Sequence, residues 1–339
     1  METKYNQEFK DCYKEKIKFW VIGCEEIHSV MWKQLNTHKN ACYVEKIFRT
    51  DKILKYKICS KLLNLEKKVR MPVFVKEYAY SIYTLEYLNF GENRNFILFT
   101  DGMVDRYSIE YLEKAKKKFG LKYVLVYVNP VSTGSAKVKE FLALADFVFA
   151  YDKNDCLKYG YEYFITAYSE EVLSKETDIP EVDVFYFGGS NGRLKELWDC
   201  WNEMEQNNII YDFYIVGGGI EGEMKYADKI HYVDAVPYQN IIEKDRKCNC
   251  ILEVLSYKQN GVTLRTMEAV LLNKKLLTNN KNVVDLPFYD SRYIKVFENA
   301  TDIDWEWVRK KEEVRYIYNG ECSPIRIVEK IENIVSGEK

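Results

Sequence analysis

Histidine is scarce in this sequence, and no Cys-x-x-Cys pair is present. The 339 residues include three histidines, far apart from one another, and nine scattered cysteines. A structural zinc site needs four such ligands at short, regular spacings, so this pattern argues against one. We expect the cysteines to be free thiols packed as small apolar side chains, a state that suits a reducing cytosol.

The chain also lacks an excess of charge of either sign and a long apolar run. Its 50 basic and 52 acidic residues give a formal net charge of -2, without the basic footprint of a nucleic-acid-binding chain. Residues 1–18 are polar and contain no signal-peptide core, and no apolar run approaches the ~18 residues of a membrane span. We therefore expect a cytoplasmic protein without a nucleic-acid partner. Its Tyr- and Lys-rich stretches could lie against the inner face of a membrane, and ordinary solvated faces are the alternative.

The overall composition is typical of a globular protein, with 47% hydrophobic and 30% charged residues. A chain of this length exceeds the usual size of one hydrophobic core, so two domains are expected. Strand and helix patterns alternate along the sequence, which predicts parallel sheets covered by helices. The predicted fold class is therefore α/β, with two tandem Rossmann-like parallel-sheet domains facing a cleft.

The predicted boundaries follow from a polar, acidic stretch at residues 168–180 that ends in proline and reads as a linker. They place a first domain at residues 1–170 and a second at residues 181–322. Residues 323–339 contain an amphipathic helix, predicted to pack back on the first domain. Between residues 41 and 87 the pattern is poor and predicts no clear element. Elsewhere the pattern predicts strands at residues 17–22, 96–100, 123–128, 146–150, 183–187, 212–216, 230–233, 250–255, 275–278 and 293–297.

The segment after the predicted strand 250–255 is the most informative, because a helix opens there near Thr263. Free backbone N–H groups and the positive end of a helix bind phosphate, and Gly261 lets the backbone approach a ligand closely. Thr263 can cap the helix and donate its hydroxyl, and Arg265 can offer a planar fork to a diphosphate. Glu268 would repel phosphate, so its expected target is a sugar diol such as a ribose. The alternative is a plain capped helix with Glu268 in solvent.

Two glycine-rich turns follow other predicted strands of the second domain, where open parallel sheets bind ligands. The first turn runs Gly188-Gly189-Ser190-Asn191-Gly192-Arg193 and could hold a phosphate in a backbone nest. Its glycine spacing differs from the dinucleotide-binding fingerprint. The second turn is Gly217-Gly218-Gly219. For both turns an ordinary surface turn is the alternative.

The sequence here resembles a group of bacterial surface-polysaccharide glycosyltransferases of the GT-B fold, which act on lipopolysaccharide or capsule. The resemblance is carried by residues 259–269, Gln-Asn-Gly-Val-Thr-Leu-Arg-Thr-Met-Glu-Ala, and residues 275–280, Lys-Leu-Leu-Thr-Asn-Asn. Residues 146–160 also match the end of that group's first domain. Many retaining enzymes of the fold have a Glu-x7-Glu motif in this loop. Its second position is Glu268, whereas Asn260 occupies the first.

The resemblance implies a nucleotide-sugar site in the second domain. Ser190, Asn191 or Arg193 would face the donor diphosphate. The loop before the helix at Pro237 and Tyr238 would border the nucleobase, although a Tyr238 packed in the core is the alternative. The residues that we expect to bind the donor are Gly189, Ser190, Asn191, Arg193, Gly218, Pro237, Tyr238, Gln259, Gly261, Val262, Thr263, Arg265 and Glu268.

No metal and no cofactor are expected, because no Asp-x-Asp pair stands at a strand end of the second domain. The leaving diphosphate would then be neutralised by Arg193, Arg265 and helix dipoles. Candidate catalytic bases are Asp101 and His28, which follow predicted strands of the first domain. A turn-capping Asp101 and a structural His28 are the alternatives.

These observations together predict a metal-independent hexosyltransferase. It would move a sugar from a nucleotide-sugar donor to a saccharide or lipid-linked acceptor during surface polysaccharide biosynthesis. The degenerate motif at Asn260 leaves a second hypothesis open, a non-catalytic GT-B-like partner subunit of a polysaccharide assembly complex. A sugar-nucleotide epimerase on the same fold is the third hypothesis.

Overall fold

The chain divides into two compact units that share the same architecture, a parallel sheet with helices around it. The computed structural model describes residues 17–23, 26–170, 180–217, 226–234, 236–256 and 261–337. Met1–Phe164 and Pro324–Lys339 form the first unit, and Ile165–Ser323 form the second. Within the described residues each unit contains one six-stranded parallel sheet with helices around it. The prediction of two tandem Rossmann-like α/β domains is confirmed.

The first sheet has the strand order β2-β1-β3-β4-β5-β6, and every pairing in it is parallel. Its central strands are buried along almost their whole length, which explains their continuous apolar sequences. The strands are β1 (Ile17–Ile22), β2 (Ala41–Val44), β3 (Arg94–Thr100), β4 (Lys122–Tyr127), β5 (Phe147–Ala150) and β6 (Glu162–Tyr163).

Helices cover this sheet, and two of them lie in the region where the sequence pattern predicted no clear element. These two are α2 and α3, joined by a short loop that ends at Pro72. Strands β2 and β6 were also not predicted. The helices are α1 (Glu26–Trp32), α2 (Ile53–Glu66), α3 (Val73–Tyr80), α4 (Asp101–Val104), α5 (Ile109–Phe119), α6 (Ala136–Phe141) and α7 (Lys153–Tyr159).

The second sheet has the strand order β12-β11-β10-β7-β8-β9 and is also parallel throughout. Its strands are β7 (Val182–Gly189), β8 (Tyr211–Val216), β9 (His231–Val233), β10 (Cys248–Glu253), β11 (Lys275–Thr278) and β12 (Ile294–Val296). The unit also contains the helices α8 (Leu194–Gln206), α9 (Tyr238–Arg246), α10 (Leu264–Leu271) and α11 (Trp305–Arg309).

The last helix, α12 (Ile325–Ser336), belongs to the first unit. Its apolar side, which includes Ile331, is buried. On its polar side Glu332 accepts a hydrogen bond of 2.8 Å from the Asn40 amide, and Lys330 forms an ion pair of 2.7 Å with Glu162. The amphipathic pattern of this helix is therefore explained by contacts within the first unit.

Tyr168, the first residue of the predicted linker, is part of the second unit. It is fully buried, and its backbone N–H donates to the Cys322 carbonyl at 2.8 Å. The second unit begins at Ile165, before the predicted end of the first domain at residue 170. Residues 171–179 lie outside the described residues. No helix in the described part of the chain is both long and apolar enough to cross a membrane.

The described cysteines are free thiols, and six of the seven are buried. Cys42 is the half-buried exception. Their positions inside the two cores agree with their interpretation as small apolar side chains.

Candidate functional site

The second sheet reverses its strand order between β7 and β10, which are hydrogen-bonded neighbours. From β7 the chain continues through β8 to β9 at one edge, and from β10 through β11 to β12 at the other. In open α/β sheets the crevice at the carboxyl ends of two such strands is where ligands bind. The candidate site therefore lies where Gly189 ends β7 and Glu253 ends β10.

Arg193 connects these two strand ends. Its Nε donates to the Gly189 carbonyl at 2.8 Å, and its Nη1 donates to the Val254 carbonyl just beyond β10. Its Nη2 makes no hydrogen bond to any described residue, and the side chain is half-buried. A guanidinium held by two carbonyls, with donors left over, is prepared to bind an anion at this position.

The turn after β7 is shorter than predicted, because the strand extends through Gly189, which pairs with Val216 of β8. Ser190 is buried, and its N–H donates to the Val216 carbonyl at 3.0 Å. Asn191 and Gly192 then take positive φ values of 36° and 75°, which turn the chain into α8. Only the last part of the predicted glycine-rich turn is therefore a turn.

Gly188 is required by close packing rather than by a turn. A Cβ atom at this position would lie 2.5 Å from the Tyr186 hydroxyl and 3.2 Å from Arg193 Nη2. Tyr186 is itself buried in the core and cannot move aside. The glycine thus makes the space in which the Arg193 guanidinium lies.

The second strand end, at β10, is held by a buried carboxylate that sequence reasoning missed. Glu253 Oε1 accepts hydrogen bonds from the hydroxyls of Thr263 and, at 2.7 Å, Thr266. Its Oε2 accepts one from Thr278 at the end of β11. Because Glu253 is only 2% exposed, this network is internal. The spacing of Thr263 and Thr266 on one helix face was the available sequence signal.

Thr263 is the N-cap of α10, as predicted. Its hydroxyl oxygen accepts from the Arg265 N–H at 3.0 Å and the Thr266 N–H at 3.5 Å. The same hydroxyl donates its hydrogen to Glu253. The expectation that this hydroxyl also donates to a ligand must be revised, because its one hydrogen is already used.

Arg265 and Glu268, which were predicted to contact a diphosphate and a sugar diol, form an internal network. The Arg265 guanidinium contacts Asp245 at 3.0 and 3.1 Å and also pairs with Glu268. Asp245 and Glu268 are fully buried. The Tyr238 hydroxyl donates to Glu268 and lies 2.9 Å from the Tyr168 hydroxyl. Tyr238, expected beside a nucleobase, therefore belongs to the same buried network.

Burial dominates the electrostatics of this network. Loss of hydration raises the pKa of Glu268 to about 8 and that of Asp245 to about 6, although the Arg265 charge opposes both shifts. Burial likewise raises the pKa of Tyr238 well above its usual value, so this hydroxyl stays protonated and donates. Two carboxyl groups thus share one guanidinium, and burial favours the protonated form of each of them.

The Glu268→Gln variant should lose part of the pH dependence of stability. Since both folded carboxyl pKa values are raised, protonation favours the folded state. This stabilisation is complete below the ordinary pKa values of 4.5 and 3.8 and is lost as pH rises towards 8. Glutamine resembles the protonated acid. Urea unfolding should show that the free energy of unfolding of the wild type falls between about pH 5 and about pH 8. The free energy of unfolding of Glu268→Gln should fall less steeply over the same range.

The control is Glu306→Gln, because the Glu306 side chain is 85% exposed. Its free energy of unfolding should follow the wild-type dependence on pH. Parallel curves for wild type and Glu268→Gln would contradict a raised pKa of Glu268 in the folded chain.

The remaining predicted donor-binding residues fall in three groups. Gly218 and Gln259, together with Asn260, lie outside the described residues. Gly261 and Val262 precede α10, where the Gly261 carbonyl accepts from the Asn280 amide at 3.0 Å. Pro237 is exposed and is the N-cap residue of α9.

In the first unit the predicted catalytic residues come together at the equivalent place in the sheet. Its strand order reverses between β1 and β3. His28, on the helix after β1, lies with Nε2 3.3 Å from the hydroxyl of Thr100, which ends β3. Asp101 is the next residue. The structure thus places His28 and Asp101 at one crevice.

Asp101 nevertheless has a structural role. Its carboxylate accepts from the Val128 N–H at 3.1 Å and from the Asn129 amide at 2.9 Å, so it joins the ends of β3 and β4. Burial raises its pKa, although these hydrogen bonds oppose the shift. A carboxylate engaged in this way fits the turn-fixing alternative better than a general base.

The first unit also contains a cavity of about 530 Å³ beside α2 and the start of α5. Aromatic and charged side chains share its lining, including Tyr56, Tyr107, Glu66 and Lys137. Lys137 Nζ donates to the Tyr107 carbonyl at 2.8 Å, and burial lowers the pKa of this lysine. Residues of α2 line part of the cavity. The sequence pattern predicted no clear element in this region, so the cavity was not predicted.

Comparisons with known proteins identify the fold. No protein-family model matches the sequence, and no curated protein matches it. The structure is similar to an α-glucosyltransferase in complex with UDP and a 13-mer DNA containing a central A:G mismatch. The TM-score is 0.52 at 10% identity, with 86% of this chain and 89% of that chain covered. The same coverage holds for an α-glucosyltransferase in complex with UDP and a 13-mer DNA containing an HMU base, with TM-score 0.50 and 11% identity.

The structure is also similar to a UDP-N-acetylglucosamine 2-epimerase, with a TM-score of 0.46 at 10% identity and with 96% of this chain and 98% of that chain covered. The two glucosyltransferases establish the fold of this chain, which is the GT-B fold of glycosyltransferases. Because both were solved with DNA, the fold itself does not support the exclusion of a nucleic-acid partner.

Proposed function

We propose that this protein is a glycosyltransferase that transfers a sugar from a nucleotide-sugar donor. The observation that carries the proposal is Arg193, fixed between the ends of β7 and β10 with Nη2 unused. This is the crevice where an open sheet binds its ligand, and a guanidinium there suits the diphosphate of a nucleotide-sugar. The similar glucosyltransferase structures, which contain UDP, support the choice of donor class.

Within this site the donor contacts come from the turn after β7 and the loop before α10. Ser190, Asn191 and Arg193 would surround the diphosphate. Gly261 and Val262 would contribute backbone groups at the start of α10, whose positive end favours an anion. Thr263, Arg265 and Glu268 hold this helix in position through internal contacts and act as positioning residues.

The first unit would bind the acceptor, a saccharide or a lipid-linked saccharide of surface polysaccharide biosynthesis such as lipopolysaccharide or capsule. The cavity beside α2 supports this part of the proposal, because aromatic rings can pack on sugar rings while charged groups bind their hydroxyls. His28 is the candidate base, and its contact with Thr100 can orient the imidazole. We propose transfer without a metal, with Arg193 and helix ends neutralising the leaving diphosphate.

Thermal unfolding with UDP, GDP, dTDP and CMP sugars tests the proposal. A ligand that binds only the folded chain raises the melting temperature, and we expect a rise of several degrees with at least one of these nucleotides. The same donor should be hydrolysed slowly, with or without EDTA. Absence of stabilisation by every nucleotide would overturn the proposal, and hydrolysis that EDTA abolishes would overturn the metal-independent chemistry.

The same experiment separates the two other hypotheses. A non-catalytic partner subunit would be stabilised by a nucleotide without hydrolysing any donor. An epimerase would convert the sugar while leaving it attached to the nucleotide, and product analysis would show the changed sugar.

A further inference from the structure

Large apolar side chains are exposed along one side of α2. Leu54 is 74% exposed, and Ile58 and Leu65 are also exposed. Their spacings of four and seven residues place them on one face of the helix. The opposite face is buried through Cys59 and Leu63. This helix is therefore apolar on both sides, although only one side packs against the core.

The exposed apolar residues continue beyond α2. Val69 lies in the connecting loop, and Val73 and Phe74 begin α3, with Phe74 73% exposed. We call these three residues, together with Leu54, Ile58 and Leu65, the α2–α3 surface. Exposed apolar side chains clustered in this way mark an interaction site rather than ordinary surface.

Positive charge accompanies this surface. Residues 52–76 contain eight basic residues and one acidic residue, whereas the whole chain has a formal net charge of -2. Lys57 and Lys61 are exposed on the same face of α2 as Leu54 and Ile58. Among the described residues no carboxylate lies within ion-pair distance of either lysine. Their charges are therefore available to a negatively charged partner.

The combination selects one kind of partner. Exposed aliphatic and aromatic side chains among unpaired lysines are typical of helices that lie in the interface of an anionic membrane. A nucleic-acid surface would be polar as well as basic, with little use for Leu54 and Phe74. A second copy using the same face would bring two basic surfaces together and be repelled.

We propose that the α2–α3 surface binds the surface of an anionic lipid membrane. Leu54, Ile58 and Phe74 would enter the boundary between headgroups and acyl chains. Lys57 and Lys61 would lie at the level of the lipid phosphates. This inference goes beyond the proposed function and is independent of it, since it requires neither donor nor acceptor.

Co-sedimentation of the full chain with lipid vesicles, without nucleotide, tests this inference. The wild type should bind vesicles of phosphatidylcholine with roughly one third phosphatidylglycerol much more strongly than pure phosphatidylcholine. Leu54→Ser with Phe74→Ser, and separately Lys57→Glu with Lys61→Glu, should each weaken binding about tenfold or more. All four side chains are exposed, so the variants should keep the wild-type melting temperature.

Matched controls change equally exposed residues elsewhere. Leu157→Ser with Ile317→Ser alters side chains that are 85% and 79% exposed, and Lys117→Glu with Lys281→Glu alters exposed lysines. These controls should bind vesicles as the wild type does. Absence of vesicle binding, or equal loss in the controls, would overturn the inference.

Two further outcomes would assign the surface to another partner and also overturn the proposal. One is binding to duplex DNA that the lysine variant abolishes and the Leu54→Ser/Phe74→Ser variant leaves intact. The other is dimerisation in light scattering that Leu54→Ser with Phe74→Ser abolishes. Vesicle binding by a protein that no nucleotide stabilises would retain this inference while rejecting the proposed function.

Discussion

Replacing Arg265 with methionine is expected to lower the free energy of unfolding by about 3–5 kcal/mol, because Asp245 and Glu268 then remain buried without a cation. Methionine fills a similar volume, so the loss reports charge rather than a cavity. Since both carboxyl groups can take up protons, the loss should be smaller at pH 5 than at pH 8. Urea unfolding followed by tryptophan fluorescence is suitable, because the second unit contains Trp198, Trp201, Trp305 and Trp307.

Two comparisons show whether the network is responsible. Arg292→Met removes a guanidinium that also pairs with a carboxylate, Asp290, but is 69% exposed, and should leave the unfolding midpoint nearly unchanged. In a background that carries Asp245→Asn and Glu268→Gln, the same Arg265→Met change should cost clearly less, since no buried carboxylate is left without its partner. Equal losses in both backgrounds would contradict the coupling between these side chains.

Replacing Arg193 with alanine is expected to weaken the binding of the stabilising nucleotide by about 10- to 100-fold, the usual range for a charged hydrogen bond. Lysine at this position keeps the charge but cannot contact the Gly189 and Val254 carbonyls and a phosphate together, so Arg193→Lys should be only partly effective. Isothermal titration calorimetry of the folded variants measures the affinity directly.

Lys195→Ala is the matched control for Arg193, because it removes a nearby positive charge whose side chain is 81% exposed and pairs with Asp199. It should bind the nucleotide as the wild type does. Unchanged affinity in Arg193→Ala, at a temperature where this variant remains folded, would remove Arg193 from the donor site.

The candidate site shows how far sequence reasoning can reach. Thr263 was identified because it opens the helix of a strand-loop-helix pattern, and such patterns are local. Arg193 was singled out by the resemblance to the glycosyltransferase group, which places the turn after its strand at the donor diphosphate. Glu253 was missed because a single acid at the end of an apolar strand has no local sign of its role. Its partners Thr263 and Thr278 are 10 and 25 residues away along the chain.

The α2 region illustrates the opposite limit. Helix prediction relies on apolar residues that recur on one face while polar residues occupy the other. In α2 the buried face contains Cys59 and Leu63, and the exposed face contains Leu54, Ile58 and Leu65, so the periodic signal cancels. The exposed apolar residues that obscured the helical pattern in the sequence are the same residues that mark this surface as an interaction site.

By itself the sequence determined the two α/β domains, the order of most strands along the chain and the cap at Thr263, because apolar periodicity, turn residues and caps act within a few residues. Only the tertiary structure decided which polar groups remain available. It pairs Arg265 with Asp245, 20 residues away, and the Thr263 hydroxyl donates its hydrogen to Glu253. Arg193 Nη2, by contrast, makes no hydrogen bond with any described residue. A donor group can bind a ligand only if folding has not already satisfied it, and its distant neighbours decide this.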